Sequence, residues 1–332
     1  MSPRRHLRSA ICLGVLMLQS SAWAGISTAG PAVWLGPVDD MATPSGFLVD
    51  QDYQQLFQAD APWQHALSHV SAFEMVRRYV TTQPEPNLRR IFSFLRDHNV
   101  ALGVTFGMVP ARNCGDGVEG TAHRPDENTL TARRLKKLDA DVKYIVMDEP
   151  LTFGHYFHGR NACGYSMEEL AAGIAGEINK VRGVYPNIPV VDVEADSGIG
   201  TPAELGQWLD ALKKVLGDGA PISIRFDVQW ESRDKPWRQI APPLVAAVLQ
   251  HGYGYGIIFD GTPSDRSSEE WIRTAEGNIK AWEATVKALP DHVMIQSWHR
   301  FPETVLPEAK PATLTYLVDW YCDNAAIAKG CR

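Results

Sequence analysis

Eight extended apolar segments alternate with helix-like stretches along this chain, and several of the segments end on acidic residues. Strand, helix, strand repeated with short connections is the mark of a parallel sheet covered by helices. Eight such units predict closure into a single-domain α/β (β/α)8 barrel, a TIM barrel, rather than an open doubly wound sheet. A dinucleotide-binding sheet would carry Gly-x-Gly-x-x-Gly between its first strand and first helix, and no such motif stands there.

The first strand is read at Ala32 to Gly36 and ends in the turn-like Pro37-Val38-Asp39-Asp40. Ser71 to Val76 is the second, although Glu74 and the following Arg77-Arg78 interrupt its apolar character. Leu88, Ile91, Phe92 and Leu95 share one face of a helix over Leu88 to His98. Val100 to Phe106 is the third strand, and a polar, Gly-containing stretch from Pro110 to Thr129 reads as an active-face loop. A short helix, Leu130 to Leu138, leads to the fourth strand, Lys143 to Asp148. The loop Leu151 to Tyr165 follows. Ser166 with Glu169 forms a capping box that opens a helix to about Arg182.

Pro189 to Val193 is the fifth strand, and Thr201-Pro202 supplies the N-cap and first residue of a helix to Leu216. Ile222 to Val228 is the sixth strand, with Trp237 to His251 as its helix. Gly256 to Asp260 is the seventh, and Ser267 or Ser268 caps a helix through Leu289. His292 to Ser297 is the eighth, and Thr313 to Tyr321 closes the fold.

Residues 1–24 have the form of a secretory signal. Arg4, Arg5 and Arg8 precede the short apolar run Ile11 to Leu18, and Ala22-Trp23-Ala24 fits a small-x-small cleavage site. The mature domain is then 25–332, secreted or periplasmic. Its loss of three arginines makes a formal net charge of -7 more negative still. An acidic chain lacks the clustered Lys and Arg that nucleic acid requires. No later run is long enough to enter a membrane. The expected partner is a carbohydrate substrate, bound by a monomer.

Cys12 leaves with the signal, so that five cysteines become four. In an oxidising compartment an even number favours disulfides. Cys114 and Cys163 fall in the loops after the third and fourth strands, neighbours on the barrel rim, and Cys322 and Cys331 close a short C-terminal loop. Zinc is the weaker reading, because no Cys-x-x-Cys or His-x-x-x-His spacing accompanies the cysteines.

Alternation assigns the strand faces. In the sixth strand Ile222, Ile224 and Phe226 share one side, while Ser223, Arg225 and Asp227 share the other. The helix-facing side should be apolar, so the polar set points inward, with Arg225 paired to Asp192, Glu194 or Glu74. By the same argument Val191 and Val193 face the helices, leaving Asp192 and Glu194 inward. Gln296 and Trp298 share one side of the eighth strand. Adjacent residues face opposite ways, so one of Asp148 and Glu149 points at substrate while the other holds the loop.

Strand ends of one polarity open on a single catalytic face. Glu149, Asp227 and Asp260 are therefore candidate catalytic acids, with Asp148 and Glu194 beside them. Asp192, Arg225 and Glu74 read as buried structural charges ahead of catalytic ones, because a buried charge demands a partner first. Trp298 ends the eighth strand and is placed to stack on a sugar ring. Trp230 and Trp237 fit either stacking or packing, and Trp208, Trp271 and Trp282 have core spacing. His155, Tyr156 and His158 lie on the loop beside the site and read as rim or substrate contacts.

A strand ending in Asp148-Glu149-Pro150, a later one ending in Asp260 and a last one ending in Trp298 resemble the (β/α)8 glycoside hydrolases of the large retaining clan. The resemblance implies that Glu149 is the acid/base and Asp260 the nucleophile. Asp148 stands where that family has Asn, and Asp260 where it has Glu. Because Asp is shorter, a carboxyl separation of about 5–5.5 Å (retention) or about 6.5–9.5 Å (inversion) stays open. No cofactor is needed. Two other readings stand beside this one. One is a metal-assisted lyase, hydrolase or racemase with a divalent cation on Glu149, Glu194 and Asp227. The other is a carbohydrate-binding barrel without catalysis.

Overall fold

A computed structural model describes residues 30–37, 52–111, 114, 117–328 and 331. The expected signal segment and the turn after Pro37 lie outside the described residues. Eight parallel strands close into a barrel: β1 (Ala32–Gly36), β2 (Val70–Val76), β3 (Ala101–Phe106), β4 (Val142–Asp148), β5 (Val190–Ala195), β6 (Ser223–Asp227), β7 (Gly254–Phe259) and β8 (His292–Gln296). Each pairs with its sequence neighbours, and β1 closes the ring on β8, with Ala32 opposite His292 and Gly36 opposite Gln296.

Helices cover the outside: α1 (Gln64–His69) before β2, α2 (Arg77–Thr82) and α3 (Glu85–Asp97) after it, then α4 (Glu127–Lys137), α5 (Met167–Arg182), α6 (Pro202–Leu216), α7 (Trp237–Gln250), α8 (Ser268–Thr285) and α9 (Leu314–Asn324). Their starts follow local chemistry. Ser166 and Thr201 each complete a reciprocal capping box, with Glu169 and Glu204. Ser267 and Thr313 accept from the backbone N–H three residues on. Each such cap stabilises its helix by about 1 kcal/mol. α8 ends at Thr285 rather than Leu289.

Two apolar layers form. The larger lies between strands and helices and includes Trp208, Trp271 and Trp282, each at most 1% exposed. The smaller fills the barrel and consists of Trp34, Ala72, Val146, Val191, Val193, Ile258 and Met294. This corrects the faces read for β5. Val191 and Val193 point inward, and Asp192 and Glu194 point out. The rule that the helix side is apolar fails here because each acid finds polar partners outside the barrel. The Trp208 indole on α6 donates to Asp192 Oδ2 at 3.0 Å. Glu194 accepts from the backbone N–H groups of Leu151 and Thr152 at 2.6 and 3.0 Å.

The β6 faces are as read. Arg225 is fully buried inside the barrel, and its Nη1 donates to Glu74 Oε2 at 2.6 Å. Its Nε donates to His292 Nε2 at 2.9 Å, and its guanidinium lies 4.5 Å from the centre of the Trp34 ring. Burial, then the Arg225 charge, hold the His292 pKa well below its usual value, so the imidazole is neutral and accepts. A Cβ on Gly256 would lie 2.3 Å from His292 Nε2, so only glycine leaves room for this ring.

Disulfides join Cys114 to Cys163 and Cys322 to Cys331. The first clasps the loops after β3 and β4, and the second staples the chain beyond α9. Among the described residues no helix is long and apolar enough to cross a membrane.

Candidate active site

A cavity of about 610 Å³ opens at the carboxyl ends of the strands. That end is where (β/α)8 enzymes carry out chemistry. Its floor is the Glu74–Arg225 pair with Thr105, whose hydroxyl donates to Glu74 Oε1 at 3.1 Å. The walls carry six further acids: Glu119, Asp148, Glu149, Asp227, Glu231 and Asp260. Trp230, Gln296, Trp298 and His299 are among the other polar and aromatic residues that line it.

Asp148 and Glu149 both line the cavity, against the expectation that neighbouring residues of a strand must diverge. Glu149 sits just past the end of β4 with φ of +45°, in the left-handed region. Alternation holds only for extended backbone, and this one residue breaks it. Its N–H still donates to the Val193 carbonyl at 3.0 Å, and its carbonyl accepts from Phe153 at 2.9 Å. The chain then enters a helical turn. Residues Thr152–Tyr156 of the expected loop form a π-helix, a device frequent at functional sites. Glu194 caps the start of this turn, so its role is to hold the β4 loop from behind.

Burial, followed by Asp227, Asp148, Glu194 and Glu119, raises the Glu149 pKa well above the usual carboxylate range. Asp148 is raised for the same reasons, with burial first and then Glu119, Glu74 and Asp227. Asp227 is pushed up to about 7 by burial, Asp196 and Glu119. Asp260 is also held well above its ordinary value, by burial and then by Asp227. Asp260 alone among the four has a strong neutral donor, because Trp230 Nε1 donates to its Oδ1 at 2.5 Å. His299 Nε2 stands 3.6 Å from its other oxygen. A donor favours the ionised form, whereas crowded like charges favour a proton. Asp260, 3% exposed, is therefore under opposing influences, a donor that favours its carboxylate and burial among acids that favours a proton, whereas the causes acting on Glu149 all favour the proton.

Of the residues singled out in the sequence, Asp148, Glu149, Asp227, Asp260, Trp230, Gln296 and Trp298 meet in this cavity. Three do not. Glu194 faces the helix layer. His155 turns its Nδ1 to the Tyr165 carbonyl at 2.6 Å, and Tyr156 contacts His155 and the Gly200 region. With Glu194 outside, the cation site drawn on Glu149, Glu194 and Asp227 is not assembled. Trp237 is buried and stacks on Trp282.

Sequence reasoning missed Glu119, Glu231 and His299. Glu119 rides on the loop pinned by Cys114, where Val109–Pro110 pairs with Thr121–Ala122. Its neighbour Gly120 has φ of +68°, and a Cβ there would lie 2.1 Å from the Asp148 carbonyl oxygen. Glycine alone allows that approach, which sets Glu119 beside Asp148. An acid followed by glycine in an active-face loop was a usable signal. His299 follows Trp298 directly and needed only one more residue of the same argument.

No family model matches the chain, and no curated protein matches it in sequence. Solved structures do match. A fungal β-1,4-galactanase aligns over 88% of this chain and 100% of its own, at 9% identity and a TM-score of 0.53. TsXylA, an intracellular xylanase from Thermoanaerobacterium saccharolyticum in complex with xylotriose, aligns over 88% and 96%, at 10% identity and a TM-score of 0.50. The likeness is one of fold, and it is distant. With 88% of the chain covered in each case, it extends over most of the barrel.

Proposed function

We propose that this protein is an exported glycoside hydrolase acting on a neutral poly- or oligosaccharide. The observation that carries the reading is the convergence of Glu149 at the end of β4 and Asp260 at the end of β7 on one cavity with Trp298. Glu149, kept protonated by its surroundings, delivers its proton to the glycosidic oxygen as the bond to the anomeric carbon breaks. Asp260, supplied with a donor by Trp230, faces the anomeric carbon as carboxylate. It either attacks that carbon directly or takes a proton from an attacking water. In the first case a covalent glycosyl-enzyme forms, and water then releases it with Glu149 acting as base. Surplus carboxylates stabilise the positive charge that develops at the anomeric carbon and repel polyanions. Trp298 offers a ring face to the sugar.

The two disulfides support export, since such bonds persist in oxidising compartments. The fold likeness to a xylanase and a galactanase supports the substrate class. The test is a screen of the purified chain against a polysaccharide panel, followed by proton NMR of the first anomer released. Turnover that Glu149→Gln lowers supports the assignment. Binding of glycans with no turnover by the natural chain would replace it with a carbohydrate-binding role.

A further inference from the structure

Outside the cavity, two imidazoles and a carboxylate converge on the barrel wall. The chain carries one His-x-x-x-His spacing, remote from the cysteines: His65-Ala66-Leu67-Ser68-His69. Both histidines lie on α1, one turn apart, and therefore on the same face. Their rings stand 4.8 Å apart and nearly perpendicular. Asp319 reaches them from α9, with Oδ1 3.0 Å from His65 Nδ1. One ligand atom from each of His65, His69 and Asp319 lies within 4.8 Å of the others. We propose that these three side chains form a binding site for a transition-metal dication of the zinc class.

The donor set fits that class. Two neutral imidazole nitrogens and one carboxylate oxygen suit zinc and its borderline neighbours better than magnesium or calcium, which prefer all-oxygen shells. A tetrahedral ion with bonds of about 2.0–2.1 Å holds its ligand atoms about 3.3–3.4 Å apart. His65, 60% exposed, is on the surface, where its side chain has room to turn toward that spacing. Glu308 adds negative field without adding a ligand. Its Oε2 accepts from the Ala66 N–H at 2.8 Å and its Oε1 from the His65 N–H at 3.4 Å, which fixes the start of α1. A fourth position is left to water.

The place in the fold gives the site a purpose. α1 leads into β2 and α9 follows β8, and these strands flank β1 on either side of the barrel's closing seam. α1 and α9 pack directly on each other. An ion held between them ties the first and last parts of the chain together, away from the cavity, because none of the three residues lines it. The expected consequence is stability, with turnover unchanged.

The experiment uses the whole chain freed of metal with chelator. Zn²⁺ is titrated in by calorimetry, Co²⁺ is followed by visible absorption, and melting is recorded against Zn²⁺ concentration. One Zn²⁺ per chain, cobalt bands of a four-coordinate site and a Tm that climbs with Zn²⁺ are expected. His69→Ala and Asp319→Asn should each weaken binding by roughly 10–100-fold or more and flatten the Tm response. His65→Gln, at an exposed position, gives the same readout even if another variant folds poorly. Absence of one-to-one binding overturns the proposal. So does Zn²⁺ affinity that is the same in His65→Gln and the natural chain, which would put the ion elsewhere.

Discussion

Arg225 and Glu74 form a 2.6 Å ion pair inside the barrel, directly beneath the acids that line the cavity. The pair neutralises a floor that would otherwise add one more negative charge to a crowded set. Removing one partner leaves the other as an unpaired charge at a buried position. Arg225→Met is therefore expected to destabilise the fold by about 3–5 kcal/mol. Chemical denaturation of both proteins checks this, and a midpoint near the natural one would mean that the pair carries no such weight.

Glu149→Gln keeps shape and hydrogen bonding but has no acidic proton to give. Hydrolysis of natural glycosides should fall by about 10²–10⁴. A substrate with a good leaving group needs less protonation, so its first step should fall much less. Equal losses on both substrates would move the acid to another member of the set, with Asp148 and Asp227 next in line.

Trp230→Phe removes the indole donor to Asp260 and keeps most of the ring. Asp260 then holds its proton to higher pH, because the ionised form has lost its hydrogen bond. The acidic limb of the kcat/KM profile should move upward in pH. At the acidic end kcat/KM should drop roughly tenfold to a hundredfold, matching a hydrogen bond to a charged group of about 1.5–3 kcal/mol. A profile superimposable on the natural one would remove Asp260 from the catalytic step.

Asp227 is raised to about 7 in the fold, whereas an unfolded Asp titrates near about 3.9. The folded chain thus binds the extra proton between these values. Its contribution to stability is complete below about pH 4 and is lost as pH rises to about 7. Asp227→Asn removes that loss. The variant should melt near the natural chain at about pH 4 and above it at about pH 8, by ~1–3 kcal/mol after allowance for partial exposure. Melts across that range decide the matter, and a gap of constant size would contradict it.

The two disulfides close chain segments of unequal span, 49 and 9 residues apart in sequence. On the chain-entropy model, replacing the Cys114–Cys163 pair by serines costs about 4 kcal/mol and the Cys322–Cys331 pair about 3 kcal/mol. Loss of the first should also reduce activity, because that bond anchors the loop bearing Glu119. Peptide mapping without reductant should recover these two pairs, and crossed pairs or free thiols would contradict the loop assignment.

What the sequence determined by itself was everything that depends on local periodicity. The strand positions, the caps at Ser166 and Thr201, the core tryptophans and the inward face of β6 follow from spacing and residue type. So does the gathering of Asp227, Asp260, Trp298 and one of the Asp148–Glu149 pair on one face, since closure brings parallel strand ends together. Tertiary structure decided the rest. Asp192 and Glu194 point outward because Trp208 and the Leu151–Thr152 backbone, both distant along the chain, supply their hydrogen bonds. Asp148 and Glu149 share a cavity because a single left-handed residue breaks a two-residue period. Glu119 joins them through the contact of Gly120 with the Asp148 carbonyl. Partners far apart in sequence leave no periodic trace, so alternation could assign a face only where no such partner competed.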